Sequence, residues 1–188
     1  NYFHLKKISL KKKKLKNIFF IGRLVDDKDP IFFIQNLIKI KKKLNCKIHI
    51  VGKGYLANEI IQYQKNNSDY VFFHGYVKNP FIKFRNKIDL LCVTSKYDGT
   101  PNVLGEALSY GIPCLAPKKV GLSNLLLQNE KYGYLYDPEK PKTFCSKVLR
   151  IKLEYPIALK KSKLGFFSMK RFDKKNTLYK LKNAIEKI

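Results

Sequence analysis

Short apolar runs alternate with amphipathic stretches along most of the chain. The apolar runs are three to eight residues long, and several end in glycine or a polar turn, which is typical of buried strands. The amphipathic stretches repeat apolar residues every three or four positions opposite a lysine-rich face, which is typical of helices. The predicted strands are 17–22, 47–52, 70–77, 88–94, 112–116 and 134–136. The predicted helices are 30–43, 56–65, 80–87, 103–110, 122–129, 141–154 and 174–188.

This alternation predicts an α/β fold. Strands that are apolar on both faces and separated by helices favour a mostly parallel sheet with helices on both faces. Right-handed crossovers then make the sheet doubly wound and Rossmann-like. Ligands of such sheets bind at the carboxyl ends of the strands, near the switch in strand order. We expect one such domain over residues 17–188, preceded by a basic interdomain segment over 1–16 that includes Lys11–Lys14.

Composition supports a globular domain and raises a second possibility. The chain has 188 residues, of which 45% are hydrophobic, so it can bury a core of ordinary size. Its formal charge of +25 suggests nucleic acid or an anionic membrane surface as a partner. Only four of the 39 basic residues are Arg, and the Lys excess accompanies many Asn, Ile, Tyr and Phe residues, as AT-rich coding would produce. We therefore predict no nucleic-acid partner, although a continuous basic stripe with stacking aromatics would favour one.

The cysteines predict a location in the cytoplasm, and the hydropathy predicts no membrane span. The four cysteines form no C-x-x-C pair, and three lie in apolar runs, which predicts buried free thiols and a reducing cytoplasm. No run of about 18 apolar residues is present, so we predict no membrane span. The three histidines do not cluster with cysteines at metal-ligand spacing, and we predict no metal or other cofactor.

Two cations follow the first predicted strand. In "IGRLVDDKDP", Arg23 and Lys28 lie in the loop that leads into the next helix. A pair of cations at the carboxyl end of a parallel strand suits a diphosphate. The alternative is two solvated cations in a lysine-rich chain.

Two acids lie eight positions apart in "SKYDGTPNVLGEALSYGIPCL". Asp98 precedes a turn in which Gly99 frees the backbone and Pro101 can begin a helix. The amides of about 102–104 would then point into the cleft, where an anion or hydroxyl is favoured. Glu106 lies in the first turns of that helix and could accept two hydroxyls of a ribose. The alternatives are a turn role for Asp98 and a helix-dipole role for Glu106, although no cation lies three or four positions after Glu106.

These motifs together resemble a known family. "FIGRLVDDKDP", "VFFHGYV" and "YDGTPNVLGEALSYGIPCLAP" occur in the order and spacing of the C-terminal, donor-binding domain of family 4 retaining glycosyltransferases, which have the GT-B fold. The resemblance covers roughly residues 17–137. Two departures are visible: Asp98 replaces a longer Glu, and Asn124 stands where an acid is common. The resemblance covers only the donor-binding half of the family, without its N-terminal acceptor domain.

The resemblance implies a role for each motif. Arg23 and Lys28 would hold the donor diphosphate, Asp98 the hydroxyls of the transferred sugar, and Glu106 the ribose. The segment 75–77 would face the nucleobase, and the amides of 99–103 would approach the phosphate and sugar. The implied catalytic residues are Arg23, Lys28 and Asp98, and the other donor contacts are Gly75, Tyr76, Val77, Gly99, Thr100, Pro101, Asn102, Val103 and Glu106.

The resemblance also implies partners and a location. We expect a UDP- or GDP-linked sugar as donor, a glycan or lipid-linked acceptor, and an N-terminal acceptor domain or partner chain that completes the cleft. The process would be assembly of a surface polysaccharide such as lipopolysaccharide or capsule, in the cytoplasm, with peripheral contact at the inner face of the membrane. Two alternatives stay open: a donor-binding or degenerate fragment without transferase activity, and a basic nucleic-acid-binding protein.

Overall fold

The computed structural model describes residues 14–172 of the chain. The predicted helix over 174–188 and most of the basic segment over 1–16 lie outside these residues. The described part forms one sheet of six parallel strands in the order β3-β2-β1-β4-β5-β6. The strands are β1 Asn17–Ile21, β2 Lys47–Val51, β3 Val71–Phe73, β4 Leu90–Cys92, β5 Cys114–Pro117 and β6 Tyr134–Tyr136.

Helices connect the strands and cover the sheet on both faces. They are α1 Pro30–Lys39, α2 Lys41–Leu44, α3 Ala57–Asn66, α4 Pro80–Lys83, α5 Asn102–Ser109, α6 Ser123–Leu127, α7 Lys142–Leu153 and α8 Tyr155–Ser168. Two 3₁₀ turns cover Asp26–Lys28 and Met169–Phe172. The doubly wound, parallel α/β fold predicted from the sequence is confirmed.

The element bounds differ from the predicted ones in a few places. The strands predicted over 70–77 and 88–94 are much shorter, because residues 74–77 and 93–94 leave the ladder and enter the loops at its carboxyl edge. The helix predicted over 30–43 is divided at Ile40, whose backbone is not helical (φ −107°, ψ 10°). Helix α8 is not among the predicted helices, because apolar residues occur on both its inner and its outer face.

The core consists of two clusters, one on each face of the sheet. Alternate residues of a strand point to opposite faces, so Ile18 and Phe20 join one cluster and Phe19 joins the other. The first cluster is covered mainly by α1 and α7, and the second by α5 together with Met169. Each fully buried large apolar side chain contributes about 1.5–3 kcal/mol to the stability of the fold. Both faces of the sheet are therefore fixed, and the loops at the carboxyl ends of the strands are held on a rigid support.

Helix α5 ends as the sequence predicts. Gly111 adopts φ +66°, and its amide donates to the carbonyl of Leu108 at 2.9 Å. The amide of Ile112 donates to the carbonyl of Ala107 at 3.0 Å. This left-handed glycine closes the helix and turns the chain directly into β5.

Candidate functional site

The switch in strand order falls between β1 and β4. The chain proceeds outward from β1 through β2 to β3, and then outward from β4 through β5 to β6. The loops that leave β1 and β4 therefore diverge and leave a cleft at their carboxyl ends, where ligands of such sheets bind. This cleft has a volume of about 260 Å³, and its lining includes Arg23, Lys28, Asp98, Thr100, Asn102 and Val103. The structure thus brings together six of the residues predicted as donor contacts.

An ion pair joins the two loops inside the cleft. The Lys28 ammonium lies 2.5 Å from Oδ2 of Asp98, and the Ser95 hydroxyl lies 3.4 Å from the same oxygen. The side chains of Lys28 and Asp98 are 21% and 14% exposed. Partial burial strengthens such a pair relative to one in open solvent, so Asp98 holds the ammonium in one place. Sequence analysis assigned these two residues to different parts of the donor and did not predict their direct contact.

The β1–α1 and β4–α5 loops are also joined through their backbones. The hydroxyl of Thr94, which is 3% exposed, lies 2.9 Å from the carbonyl oxygen of Lys28 and 3.0 Å from that of Asp29. It carries one hydrogen and donates to one of them at a time. The amide of Lys96 donates to the carbonyl of Asp27 at 2.8 Å, and its ammonium pairs with Asp29 at 3.1 Å. Sequence analysis missed Thr94, whose only signal is a polar residue directly after a buried apolar strand.

A third loop, between β5 and α6, packs against the turn that carries Asp98. Gly121 adopts φ +51°, and a Cβ atom there would lie 2.1 Å from the carbonyl oxygen of Asp98 and 2.3 Å from that of Gly99. The neighbouring amide of Leu122 donates to the carbonyl of Gly99 at 3.0 Å. Only glycine fits this contact, since any side chain would displace the turn. Sequence analysis did not single out Gly121 for this role.

The predicted nucleobase segment lines a second cavity next to the first. This cavity has a volume of about 180 Å³, lies at the carboxyl ends of β1 and β2, and includes Lys53, Tyr76 and Val77 in its lining. The Lys53 ammonium lies 5.0 Å from the centroid of the Tyr76 ring, as in a cation–π pair. Gly75 lies just outside this lining, and its carbonyl accepts a hydrogen bond from the Gly52 amide at 2.9 Å. Exposed Arg23 lines both cavities. We call the first cavity the diphosphate side and the second the base side, after the parts of the donor that the sequence motifs predict for them.

Glu106 is placed beside the cleft rather than in its wall. It lies on α5, is exposed, and makes no side-chain hydrogen bond or ion pair with the residues that the structure describes. Partial desolvation by the surrounding protein raises the pKa of its carboxyl group. The helix begins one residue later than a proline start would give: Pro101 precedes it, and the Leu104 amide already donates to the Pro101 carbonyl. Among the α5 residues, Asn102 and Val103 are the ones that line the cavity.

A chain of hydrogen bonds supports the base side from below. His49 Nδ1 lies 3.0 Å from His74 Nε2, and His49 Nε2 lies 3.1 Å from Oδ1 of Asn17, whose amide donates to Asp89 at 3.0 Å. Burial and nearby lysines lower the pKa of both histidines, to about 3 for His49. Both rings are therefore neutral, and His49 donates to Asn17 while accepting from His74. His74 directly precedes Gly75, so this chain of hydrogen bonds reaches the edge of the second cavity.

Three further findings concern metal ligands, membrane spans and the cysteines. Within residues 14–172, no group of three or more His, Cys, Asp or Glu side chains is arranged to hold a metal ion. The same residues contain no helix that is both long and apolar enough to cross a bilayer. All four cysteines are free thiols, and three of them are buried.

The fold and the cleft define a class of protein and then a family. A doubly wound parallel sheet with two cations, an acid and a helix start at its switch point is typical of nucleotide-binding α/β domains. Residues 15–152 match the family model described as glycosyl transferases group 1, and the chain belongs to this family. The resemblance stated from the sequence motifs is confirmed.

Curated relatives of this family cover different parts of the chain. An Escherichia coli protein named UDP-Gal:alpha-D-GlcNAc-diphosphoundecaprenol alpha-1,3-galactosyltransferase is 27% identical over 85% of this chain and 44% of its own length. The lipopolysaccharide 1,6-galactosyltransferase of Escherichia coli is 32% identical over 51% of this chain and 28% of its own length. The chain thus spans less than half the length of either relative.

Solved structures show the same fold. The chain superposes on the pneumococcal O-GlcNAc transferase GtfA, in complex with UDP and GlcNAc, with a TM-score of 0.83 at 18% identity, over 99% of this chain and 38% of that one. For TarM the TM-score is 0.81 at 23% identity, over 97% of this chain and 37% of that one. These superpositions support the fold that was predicted from the sequence.

Proposed function

We propose that this chain is the donor-binding part of a retaining glycosyltransferase that uses a nucleoside diphosphate sugar. The observation that carries the proposal is the convergence of Arg23, Lys28 and Asp98 with the start of α5 in one cleft at the β1–β4 switch point. Family membership supports it, as do the UDP named with the GtfA structure and the UDP-Gal named for the Escherichia coli relative.

The diphosphate binds between the two cavities. Arg23 lines both of them, and Lys28 is held in the cleft by Asp98, so two cations with separate supports face the same space. Guanidinium and ammonium groups form charge-assisted hydrogen bonds to phosphate oxygens, and these become stronger where water is excluded. When the bond between the sugar and the diphosphate breaks, both cations stabilise the charge left on the leaving phosphate.

The remaining parts of the donor extend to either side. The base occupies the apolar cavity at Tyr76 and Val77, with the Gly75 backbone at its edge. The sugar lies toward Asp98 and the turn over 99–103, and the ribose reaches Glu106, whose carboxylate has no partner among the described residues. Asp98 can accept a sugar hydroxyl through the carboxylate oxygen that Lys28 does not use.

The acceptor lies opposite this cleft, on a domain or partner chain that the present residues do not include. The acceptor is a glycan or a lipid-linked glycan, in keeping with the names of the two relatives. Its hydroxyl forms the new bond at the sugar carbon on the face that the diphosphate leaves, and the departing phosphate oxygen takes its proton. The residues of this chain position the donor and stabilise charge, and they require no metal ion for either role. The proposed location is the cytoplasmic face of the membrane.

Titration calorimetry of the whole chain with UDP and with GDP tests the proposal. We expect saturable binding of one of the two diphosphates. The Arg23→Ala variant should bind at least tenfold more weakly, because it loses charge-assisted hydrogen bonds of about 1.5–3 kcal/mol. Glu106→Ala should weaken binding less, and Glu59→Ala, which removes an exposed acid on α3 that lines neither cavity, should bind as the natural chain does.

Three outcomes would overturn the proposal. One is a chain that is folded by circular dichroism but binds neither diphosphate. Another is equal weakening by Arg23→Ala and Glu59→Ala, which would show that the cleft is not the binding site. The third is single-stranded DNA that binds more tightly than either diphosphate and competes with it, which would favour the nucleic-acid alternative.

A further inference from the structure

Helix α8 exposes several large apolar residues. Its inner face begins with Tyr155 and continues with the small residues Ala158, Ser162 and Gly165, all of which are buried. Gly165 lets the helix approach α5 closely, since a Cβ atom there would lie 2.7 Å from the Leu108 side chain. The outer face bears Ile157 and Leu164, which are 46% and 49% exposed. A helix that only covered the core would show the opposite distribution.

Exposed residues of α8 share one helix face. Positions 157, 160 and 164 follow the spacing that places residues on one face, and Leu153, at the end of the preceding helix α7, is 84% exposed. Phe167, which contacts Phe166 edge to face, continues this face and is 48% exposed. An exposed apolar group of this size is more than the scattered exposure that ordinary protein surfaces show.

The charges on this face have one sign. Lys160 and Lys163 are exposed on α8, and α8 contains no Asp or Glu. The nearest acid, Glu154, already pairs with Arg150 at 3.1 Å. The third lysine, Lys161, turns inward and donates to the carbonyl of Glu130 at 2.6 Å. The outer face of the helix is therefore apolar and cationic with no acid of its own.

We propose that the α8 outer surface, defined as Leu153, Ile157, Lys160, Lys163 and Leu164, docks onto the anionic surface of a lipid bilayer. An anionic bilayer complements this surface, because its apolar layer can take up the Ile and Leu side chains and its negative headgroups can pair with the lysines. The long lysine side chains can lie along the apolar layer while their ammonium groups stay at the headgroups. The helix then lies in the plane of the interface and does not cross it.

This docking does not depend on the donor cleft. The cleft is formed by the loops at the carboxyl ends of β1 and β4, whereas the α8 outer surface faces away from the sheet. A chain that failed to bind UDP could still bind vesicles, and the reverse also holds, so the two proposals fail separately. Peripheral membrane contact is expected from the overall charge, and the α8 outer surface gives that contact a defined location.

Co-sedimentation of the whole chain with vesicles tests the assignment. One set of vesicles contains phosphatidylcholine alone, and the other contains phosphatidylcholine mixed with anionic phosphatidylglycerol. We expect binding to the anionic set only, weakened about tenfold in the double variant Ile157→Ser, Leu164→Ser. The variant Lys160→Glu, Lys163→Glu should weaken it at least as much, because each lysine is worth roughly a fivefold change in partitioning.

A charge-matched variant separates this surface from the general basicity of the chain. Lys42→Glu, Lys65→Glu changes two exposed lysines on α2 and α3 and should weaken vesicle binding far less. Thermal melting and UDP titration should be the same for all three variants as for the natural chain, which excludes misfolding. The proposal is overturned if the Ile157→Ser, Leu164→Ser variant binds anionic vesicles normally, or if the control pair matters as much as the α8 pair. It is also overturned if sedimentation velocity shows a dimer that this serine variant alone abolishes, since a second copy would then cover the surface.

Discussion

The two cavities that meet at Arg23 are built in different ways. The diphosphate side is enclosed by three loops that lock together through the Lys28–Asp98 pair, the Thr94 hydroxyl and the backbone contact at Gly121. The base side has apolar walls, and its edge at Gly75 has no atom within 4 Å of the place where a Cβ would be. The turn that carries Asp98 is therefore fixed by its neighbours, whereas the base side leaves room around its backbone at Gly75, although not at Gly52, where a Cβ atom would overlap the carbonyl of Gly22.

Under the proposed function, this difference suits two different tasks. Charge stabilisation in a transfer reaction requires groups that are already in position, because reorganisation during the reaction is costly. Contact with a flat base needs mainly an apolar surface, which tolerates small shifts of the backbone. We therefore expect the diphosphate side to be sensitive to very small structural changes at Gly121 and the base side to be tolerant at Gly75.

The largest contrast should come from adding one methyl group to each side. Gly121 and Gly75 both have left-handed φ values, +51° and +63°, so the change to Ala carries a similar backbone cost of about 1 kcal/mol at each site. Gly121→Ala additionally pushes against the carbonyls of Asp98 and Gly99 and should reduce the free energy of unfolding by about 3 kcal/mol. Urea denaturation of both variants measures this. Equal losses at the two positions would contradict the proposed difference between the two sides.

Acid should lower the free energy of unfolding through His49, which supports the base side. The pKa of His49 is lowered from 6.5 to about 3 by burial, and also by Lys87, His74 and Lys47, so the unfolded chain binds a proton that the folded chain does not. The free energy of unfolding then falls as the pH drops below about 6.5, by up to about 2.7 kcal/mol between pH 6.5 and 4.5. In His49→Phe this part of the loss should vanish, since Phe cannot titrate.

The measurement is urea denaturation at pH 8.0, 6.5, 5.5 and 4.5 for both chains. Other groups, including His74, also titrate in this window, so the quantity of interest is the difference in slope between the two chains. Parallel slopes would mean that His49 is protonated in the folded state and that the neutral hydrogen-bond chain is wrong.

The smallest effect should come from the rim of the base side. Removal of Lys53 eliminates its contact with the Tyr76 ring, and such exposed pairs are worth about 0.5–1 kcal/mol. Lys53→Ala should therefore weaken UDP binding about threefold, and Lys53→Arg should restore it. If titration shows a loss as large as that of Arg23→Ala, Lys53 is a phosphate ligand and the boundary between the two sides lies elsewhere.

Sequence patterns predicted the parts of the site that depend on topology. Arg23, Lys28 and Asp98 could be placed in one cleft because they follow strands whose carboxyl ends must lie at the same edge of a parallel sheet. Thr94 and Gly121 could not be assigned in this way, because their roles depend on contacts between loops that are far apart in the chain. The position of Glu106 beside the cleft depends on where α5 begins, and that differs by one residue from the predicted start.

The missed helix has a similar physical reason. Periodicity identifies a helix when its apolar residues face one direction, as in α1 and α5. In α8 the inner face is apolar, and the outer face mixes the apolar residues Ile157 and Leu164 with Lys160 and Lys163, so polar and apolar residues are not separated onto two sides. Periodicity does not identify a helix that lacks this separation.

The strand order has a consequence for how the protein is made. Of the six described strands, β1 is synthesised first and is a central strand, and its partner on the cleft side is β4, which follows about 70 residues later. At ordinary rates of translation of about 5–20 residues per second, β1 has no neighbour on that side for roughly 4–14 s. During this interval the apolar edge of β1 must be kept from other chains, and the diphosphate cleft does not exist. Under the proposed function, the capacity to bind the donor therefore appears only when the loops after β4 and β5 have emerged.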